Sequence, residues 1–167
     1  MTYHVPLFLT SAYKFATKCH GDQMYGDKPY ICHLIDVINV MIEFNIHDRD
    51  LLRAGLLHDV IEDTQATYFD LYGFFGERVA SLVDAVSDGP GDTREERKAR
   101  PYKLIPLVPG AVLIKASDRL ANVRHASSTK NTKILEMYRQ EHPLFEKKLR
   151  GSRDAEPLFQ CLCKLLT

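Results

Sequence analysis

The stretch Leu52 to Thr64, LRAGLLHDVIEDT, concentrates residue types that can do chemistry. His58 and Asp59 are adjacent, and Glu62 and Asp63 follow one turn later. In a helix advancing ~100° per residue, His58 lines up with Glu62 and Asp59 with Asp63. One imidazole and three carboxylates then share a small volume beside an apolar body of Leu52, Ala54, Leu56, Leu57, Val60 and Ile61. Like charges that close repel, so bound protons or a cation must offset them. A divalent metal does this well; a plain polar helix face is the alternative reading.

Three other segments carry candidate chemistry. The loop HGDQMYGDKPY at 20–30 is dense in turn residues yet presents His20, Gln23, Tyr25 and Lys28, a rich set for a connector. His33 follows beside an apolar stripe, where a core or capping histidine is as natural as a ligand. In Ala111 to Ala126, Lys115, Asp118, Arg119 and Asn122 recur at spacings of three or four. That puts a carboxylate, an amide and two cations on roughly one side, or simply makes an ion-paired surface helix. Between these, REERKARPYKL at 94–104 sets Arg94, Arg97, Lys98, Arg100 and Lys103 against Glu95 and Glu96. It is either a solvated face or a source of cations for an anionic ligand.

The elements that must position these groups all read as helices. Apolar residues at helical spacing mark helices at about Pro6–His20, Ile31–Phe44, Leu52–Thr64, Tyr68–Phe75, Gly76–Val86, Ala111–Ala126, Lys133–Leu149 and Ala155–Leu166. Asp48 or Asp50 is the expected cap of the helix bearing His58. SDGPGDT at 87–93 is a clear break, and strand signals are weak throughout. The expected fold is a compact all-α bundle in a single domain over residues 1–167.

Composition narrows the function classes. With 167 residues, 45% of them hydrophobic, the chain can bury a sizeable core. Its 22 basic and 22 acidic residues give no net field for nucleic acid or an anionic membrane. No apolar run approaches the ~18 residues of a membrane span, and MTYHVPLFLTSAYK lacks the pattern of a signal peptide. Cys161 and Cys163 are too close in sequence for an unstrained disulfide, and zinc clips usually space cysteines more widely. With Cys19 and Cys32 they read as free thiols in a reducing cytoplasm.

Read together, His33, the His58–Asp59 doublet and Asp118 resemble the H…HD…D ligand set of the HD phosphohydrolase superfamily. More narrowly, PYICH at 29–33, AGLLHDVIEDT at 54–64, FGERVASLVDAVS at 75–87 and IKASDRLANVR at 114–124 resemble the alarmone hydrolase domain of RelA/SpoT-type enzymes and the stand-alone small alarmone hydrolases of the metazoan SpoT-homologue kind. The resemblance covers roughly residues 10 to 127, with helices at 130–167 completing the bundle. It implies that His33, His58, Asp59 and Asp118 hold one divalent ion, Mn2+ in the family. It also implies that Glu62 and Asp63 orient a water and take its proton, and that Asn122 contacts the nucleotide. Lys115, Arg119, Arg97 and Lys98 become candidates for phosphate charge. The implied reaction removes pyrophosphate from the 3′ position of guanosine 3′,5′-bis(diphosphate) or its triphosphate relative. No synthetase domain fits after residue 127, so degradation alone is expected. Oligomeric state is left open, a homo-oligomer included.

One departure bears on specificity. Relatives carry an Arg-Lys type pair after the His-x-x-Gln of the first loop, and that arginine stacks on guanine. Here His20-Gly-Asp-Gln23 is followed by Met24, Tyr25 and Gly26, leaving Tyr25 as an aromatic platform and Lys28 as the nearest cation. A related phosphohydrolase acting on an adenine or other nucleotide is therefore the alternative substrate reading. A third, non-enzymatic reading is a binding module that keeps the fold; the complete ligand and acid set argues against it.

Overall fold

The computed structural model describes residues 6–167, and its core is a set of helices gathered around one of them. After a 3-10 turn at Leu7–Leu9, α1 runs Thr10–His20. A minimal antiparallel hairpin follows, β1 (Met24–Tyr25) against β2 (Lys28–Pro29), with Tyr25 opposite Lys28. Then come α2 (Ile31–Glu43), α3 (Arg49–Leu57), α4 (Val60–Asp63), α5 (Tyr68–Phe75) and α6 (Glu77–Val86). The chain closes with α7 (Arg94–Leu104), α8 (Ala111–Ser128), α9 (Thr132–Leu149) and α10 (Glu156–Leu166). The expectation about a leader, where it concerns Met1 to Val5, lies outside the described residues.

The central element is α8, which packs against α2, α3, α6, α9 and α10. Even its polar Lys115, Ser117 and Arg119 are buried. The reading of this segment as an ion-paired surface helix therefore fails. Enclosure on nearly every side places Asp118 in the interior and not on a solvated face. The two C-terminal helices share the same core through Phe145, Leu149, Phe159 and Leu162.

Local signals start the helices where the residues demand. Asp48, not Asp50, caps α3, accepting the backbone N–H groups of Asp50 and Leu51 at 2.9 and 3.0 Å. Thr93 and Glu96 form a capping box at the start of α7, so the basic segment is a helix. Gly110 enters α8 at φ +92°, and a Cβ there would lie 2.6 Å from Leu51 Cδ2, so only glycine fits without strain.

Two expectations need correction. The helix read over Leu52–Thr64 is two pieces, because α3 stops at Leu57 and α4 begins at Val60. His58 Nδ1 donates to the Gly55 carbonyl at 2.9 Å, taking an acceptor that a continuing helix would give to the Asp59 N–H. The hairpin at 24–29 is the second; strands of two residues are too short to show alternation.

Candidate active site

Four side chains from three regions of the fold converge below the hairpin. His33 comes from the first turn of α2, His58 and Asp59 from the break between α3 and α4, and Asp118 from the middle of α8. His33 Nε2 lies 3.4 Å from Asp118 Oδ1 and 3.7 Å from Asp59 Oδ2. His58 Nε2 lies 2.9 Å from Asp59 Oδ2 and 3.6 Å from Asp118 Oδ1. Both histidines are almost completely buried.

The donor chemistry fits a metal. A carbonyl can only accept, so the bond to Gly55 fixes a proton on His58 Nδ1 and leaves Nε2 as the nitrogen that faces two carboxylates, where it carries a proton or binds a cation. That Nε2 is buried and has no hydrogen-bond partner among the described residues. Donor atoms of His33, His58 and Asp118 lie within 4.8 Å of one another, with Asp59 against both imidazoles. The electrostatics agree. Burial works to lower the His58 pKa, yet the Asp59 and Asp118 carboxylates raise it well above the ordinary imidazole value. Burial works to raise Asp118, yet His33, His58 and Lys115 hold it well below the usual carboxylate range. A positive charge belongs between these groups, either a proton or a cation. Two imidazoles and two carboxylates suit a first-row divalent ion.

A second layer orients the ligands. Tyr30 donates its hydroxyl to Asp59 Oδ2 at 2.7 Å, and burial, aided by the Asp59 charge, pushes its phenol pKa so high that it stays a donor. Asn122 Nδ2 donates to Asp118 Oδ1 at 2.5 Å, while Asn122 Oδ1 accepts from the Tyr25 hydroxyl at 2.6 Å. The Tyr25 ring stacks on His33, with centroids 4.7 Å apart, and packs against His125 at 4.6 Å. On the other side His20 stacks on Tyr30 and its Nδ1 donates to Gln23 Oε1 at 2.7 Å; Gln23 Nε2 then donates to Asp63 Oδ2 at 3.0 Å.

Glu62 and Asp63 stand at the solvent-exposed rim. Asp63 N–H donates to the Asp59 carbonyl at 2.8 Å, so the two carboxylates stand one helical turn apart across the start of α4. Glu62 accepts the Asp88 backbone N–H at 3.0 Å. Its pKa is raised by burial foremost, with the Asp88 and Asp59 charges adding and Lys115 opposing.

Cations approach this centre in a row. Lys115 Nζ lies 3.9 Å from Asp118 Oδ2 and 4.0 Å from Asp88 Oδ1, and Lys98 Nζ lies 3.4 Å from Asp88 Oδ2. Three other sequence candidates sit elsewhere. The Arg119 guanidinium pairs with Glu141 Oε2 at 2.9 Å and lies 4.0 Å over the Phe145 ring, so it pins α8 to α9 instead of offering charge to a phosphate. Arg97 donates to the carbonyls of Gly91 and Asp92 in the preceding turn. Lys28 is exposed and lines a separate cleft of about 330 Å³ with Asp36, Asn39 and Arg124. Asp88 and the Tyr30 hydroxyl are the positioning groups that the sequence reading passes over. One lies in a segment that reads as a break, and the other reads only as the lead-in to a helix.

A family model described as the HD domain matches residues 12–147. A guanosine-3′,5′-bis(diphosphate) 3′-pyrophosphohydrolase of Aquifex aeolicus is 38% identical over 118 residues, covering 68% of this chain and 17% of the relative. The human protein of the same activity name, MESH1, is 38% identical over 121 residues, covering 70% of this chain and 68% of MESH1. A solved structure described as a metazoan ortholog of SpoT that hydrolyses ppGpp superimposes with a TM-score of 0.80 at 27% identity. It covers 98% of this chain and 96% of the solved one. The chain thus spans less than a fifth of the Aquifex relative and about two thirds of the human one.

Proposed function

This chain belongs to the HD-domain family, and from that membership we propose that it hydrolyses the 3′-pyrophosphate of guanosine 3′,5′-bis(diphosphate) in a metal-dependent reaction. The observation that carries the reading is the convergence of His33, His58, Asp59 and Asp118 with a buried, unpartnered imidazole nitrogen at its centre. The named activity of the Aquifex and human relatives supplies the substrate class. Those four residues would hold the ion, for which we propose Mn2+. A bound divalent cation supplies a lowered water pKa and charge neutralisation on the phosphate.

The remaining work falls to side chains. Glu62, braced by the Asp88 N–H, and Asp63, braced by Gln23, would orient the attacking water and accept its proton. The water oxygen bonds to the phosphorus attached at the 3′ oxygen, the P–O3′ bond breaks, and the 3′ oxygen leaves as a hydroxyl by taking the proton that the carboxylates received from the water. Lys115 and Lys98 are the fixed cations nearest the centre and would offset charge on the pyrophosphoryl group under attack. Lys98 also borders a cleft of about 550 Å³ between α7 and α9, which has room for part of a nucleotide. Asn122 would act on the reaction mainly by holding Asp118. Four free thiols and the absence of a membrane-crossing helix among the described residues support a cytoplasmic location, which is part of this proposal.

A second reading concerns the base. Tyr25 is committed to His33, His125 and Asn122, which leaves no cation in the first loop at the position where relatives stack an arginine on guanine. Adenine substrates are therefore tested alongside. The experiment measures pyrophosphate release from guanosine and adenosine 3′,5′-bis(diphosphates) with Mn2+, using wild type, Asp59→Ala and Glu62→Gln. Release from the guanosine compound that is lost in both variants supports the proposal. Activity confined to the adenosine compound replaces its substrate, and turnover of neither overturns it.

A further inference from the structure

The C-terminal helix pair holds a second cluster of ligating side chains that the reaction does not use. His142 and Glu146 are four residues apart on one face of α9, and Cys163 faces them from α10. Cys163 Sγ lies 3.1 Å from Glu146 Oε1 and 3.5 Å from His142 Nε2, and the last two atoms are 4.0 Å apart. The ring of His142 is buried, while Glu146 and Cys163 keep partial access to solvent.

We propose that His142, Glu146 and Cys163 form a second metal site, selective for zinc or a similarly thiophilic divalent ion, that ties α10 to α9. Tetrahedral zinc with bonds of ~2.3 Å to sulfur and ~2.0–2.2 Å to nitrogen and oxygen sets its donors about 3.4–3.6 Å apart. The observed separations of 3.1, 3.5 and 4.0 Å bracket that range, so adjustments of about half an ångström complete three corners. The fourth corner opens to solvent and takes a water. Binding breaks the Cys163 S–H bond, releases that proton to solvent and forms the sulfur–metal bond, so the thiolate and the Glu146 carboxylate match the two charges of the ion.

The surroundings preset the carboxylate. Arg150 NH1 donates to Glu146 Oε1 at 2.6 Å, and its other nitrogens hold Glu156 at 2.6 and 3.1 Å. The guanidinium is shared between Glu146 and Glu156 and its Nη1 lies 4.0 Å from Cys163 Sγ, so it holds the Glu146 carboxylate facing the thiol. The donor set also differs in kind from the His33, His58, Asp59 and Asp118 centre. A thiolate selects zinc over manganese, so two ions of different hardness can be sorted between two sites in one chain. This inference does not depend on the proposed reaction.

The test titrates Co2+ into metal-free protein in a non-thiol reductant and follows the thiolate-to-cobalt charge-transfer band. Wild type should develop the band, Cys163→Ser should lack it, and His33→Ala, which disables the other centre, should keep it. Glu146→Gln, which preserves side-chain shape, should weaken cobalt binding at this site by at least about tenfold. It carries the comparison if Cys163→Ser fails to fold. Hydrolytic activity with Mn2+ should be unchanged in Cys163→Ser. Absence of the band in saturated wild type means that the three side chains form only a hydrogen-bonded relay, and overturns the proposal. A band that survives Cys163→Ser, or disappears in His33→Ala, also overturns it.

Discussion

His58 shows how one residue can end a helix and make a ligand in the same act. Its Nδ1 proton is donated to Gly55, and the consequence is both a break in the helix and an Nε2 that faces Asp59 and Asp118. The opposite face of the same site depends on Tyr30, whose hydroxyl holds Asp59 Oδ2 at 2.7 Å. Removing such an outer hydrogen bond typically weakens metal binding by about 10–100-fold. Tyr30→Phe should therefore raise the Mn2+ concentration needed for half-maximal binding by that factor, while activity at saturating metal stays near wild type. A metal titration with both proteins checks this, and equal affinities would remove Tyr30 from the positioning layer.

Among elements, α8 depends on what holds it at each end. Its start is fixed by Gly110, where φ is +92° and a Cβ would meet Leu51. Gly110→Ala should cost about 1–3 kcal/mol through backbone strain alone, seen as a lower denaturant midpoint with an unchanged slope. Further along, Glu141 on α9 receives both Arg119 of α8 and Arg94 of α7. Burial pushes the Glu141 carboxyl up, but the two guanidiniums prevail and hold its pKa below the ordinary 4.5. A carboxyl depressed in the folded state contributes stability that is present above its unfolded pKa and lost as pH falls through the folded one. Stability should accordingly decline below about pH 4.5, and Glu141→Gln should flatten that part of the profile, as measured by urea unfolding across pH. Glu141→Ala should cost about 3 kcal/mol at neutral pH, because it leaves the buried Arg119 without a counter-charge.

For the molecule as a whole, the four residues proposed to hold the ion come from α2, the α3–α4 break and α8, which pack on one another. An ion bound across them stabilises the assembled core by about 2.7 kcal/mol at a hundred times its dissociation constant. For a chain of this size each kcal/mol shifts the unfolding temperature by roughly 2–4 °C. Chelation should thus lower that temperature by roughly 5–10 °C, with Mn2+ restoring it in wild type and not in His33→Ala. The equal numbers of acidic and basic residues mean that no global field assists substrate capture. The local row of Lys115 and Lys98 puts positive charge beside the Asp118 and Asp88 carboxylates, where the proposed reaction would use it.

Most of the helical periods, a cap at Asp48 or Asp50, and the doublet His58–Asp59 are local features, and local spacing was enough to mark them. His33, His58, Asp59 and Asp118 could be grouped because they keep their order and motif context along the chain, and the structure brings the four side chains together. Tertiary structure decided the rest. Whether a polar residue on α8 faces a phosphate or a neighbouring helix depends on which helices surround it, so Lys115 turned inward to the acidic centre and Arg119 to Glu141 and Phe145. Tyr25 looked free to receive a base, yet a two-residue hairpin folds it onto His33. Cys163 looked inert beside Cys161, and only the packing of α10 on α9 set it against His142 and Glu146. Spacing along one helix fixes which residues share a face, but the partner of that face comes from chain many residues away, and packing alone selects it.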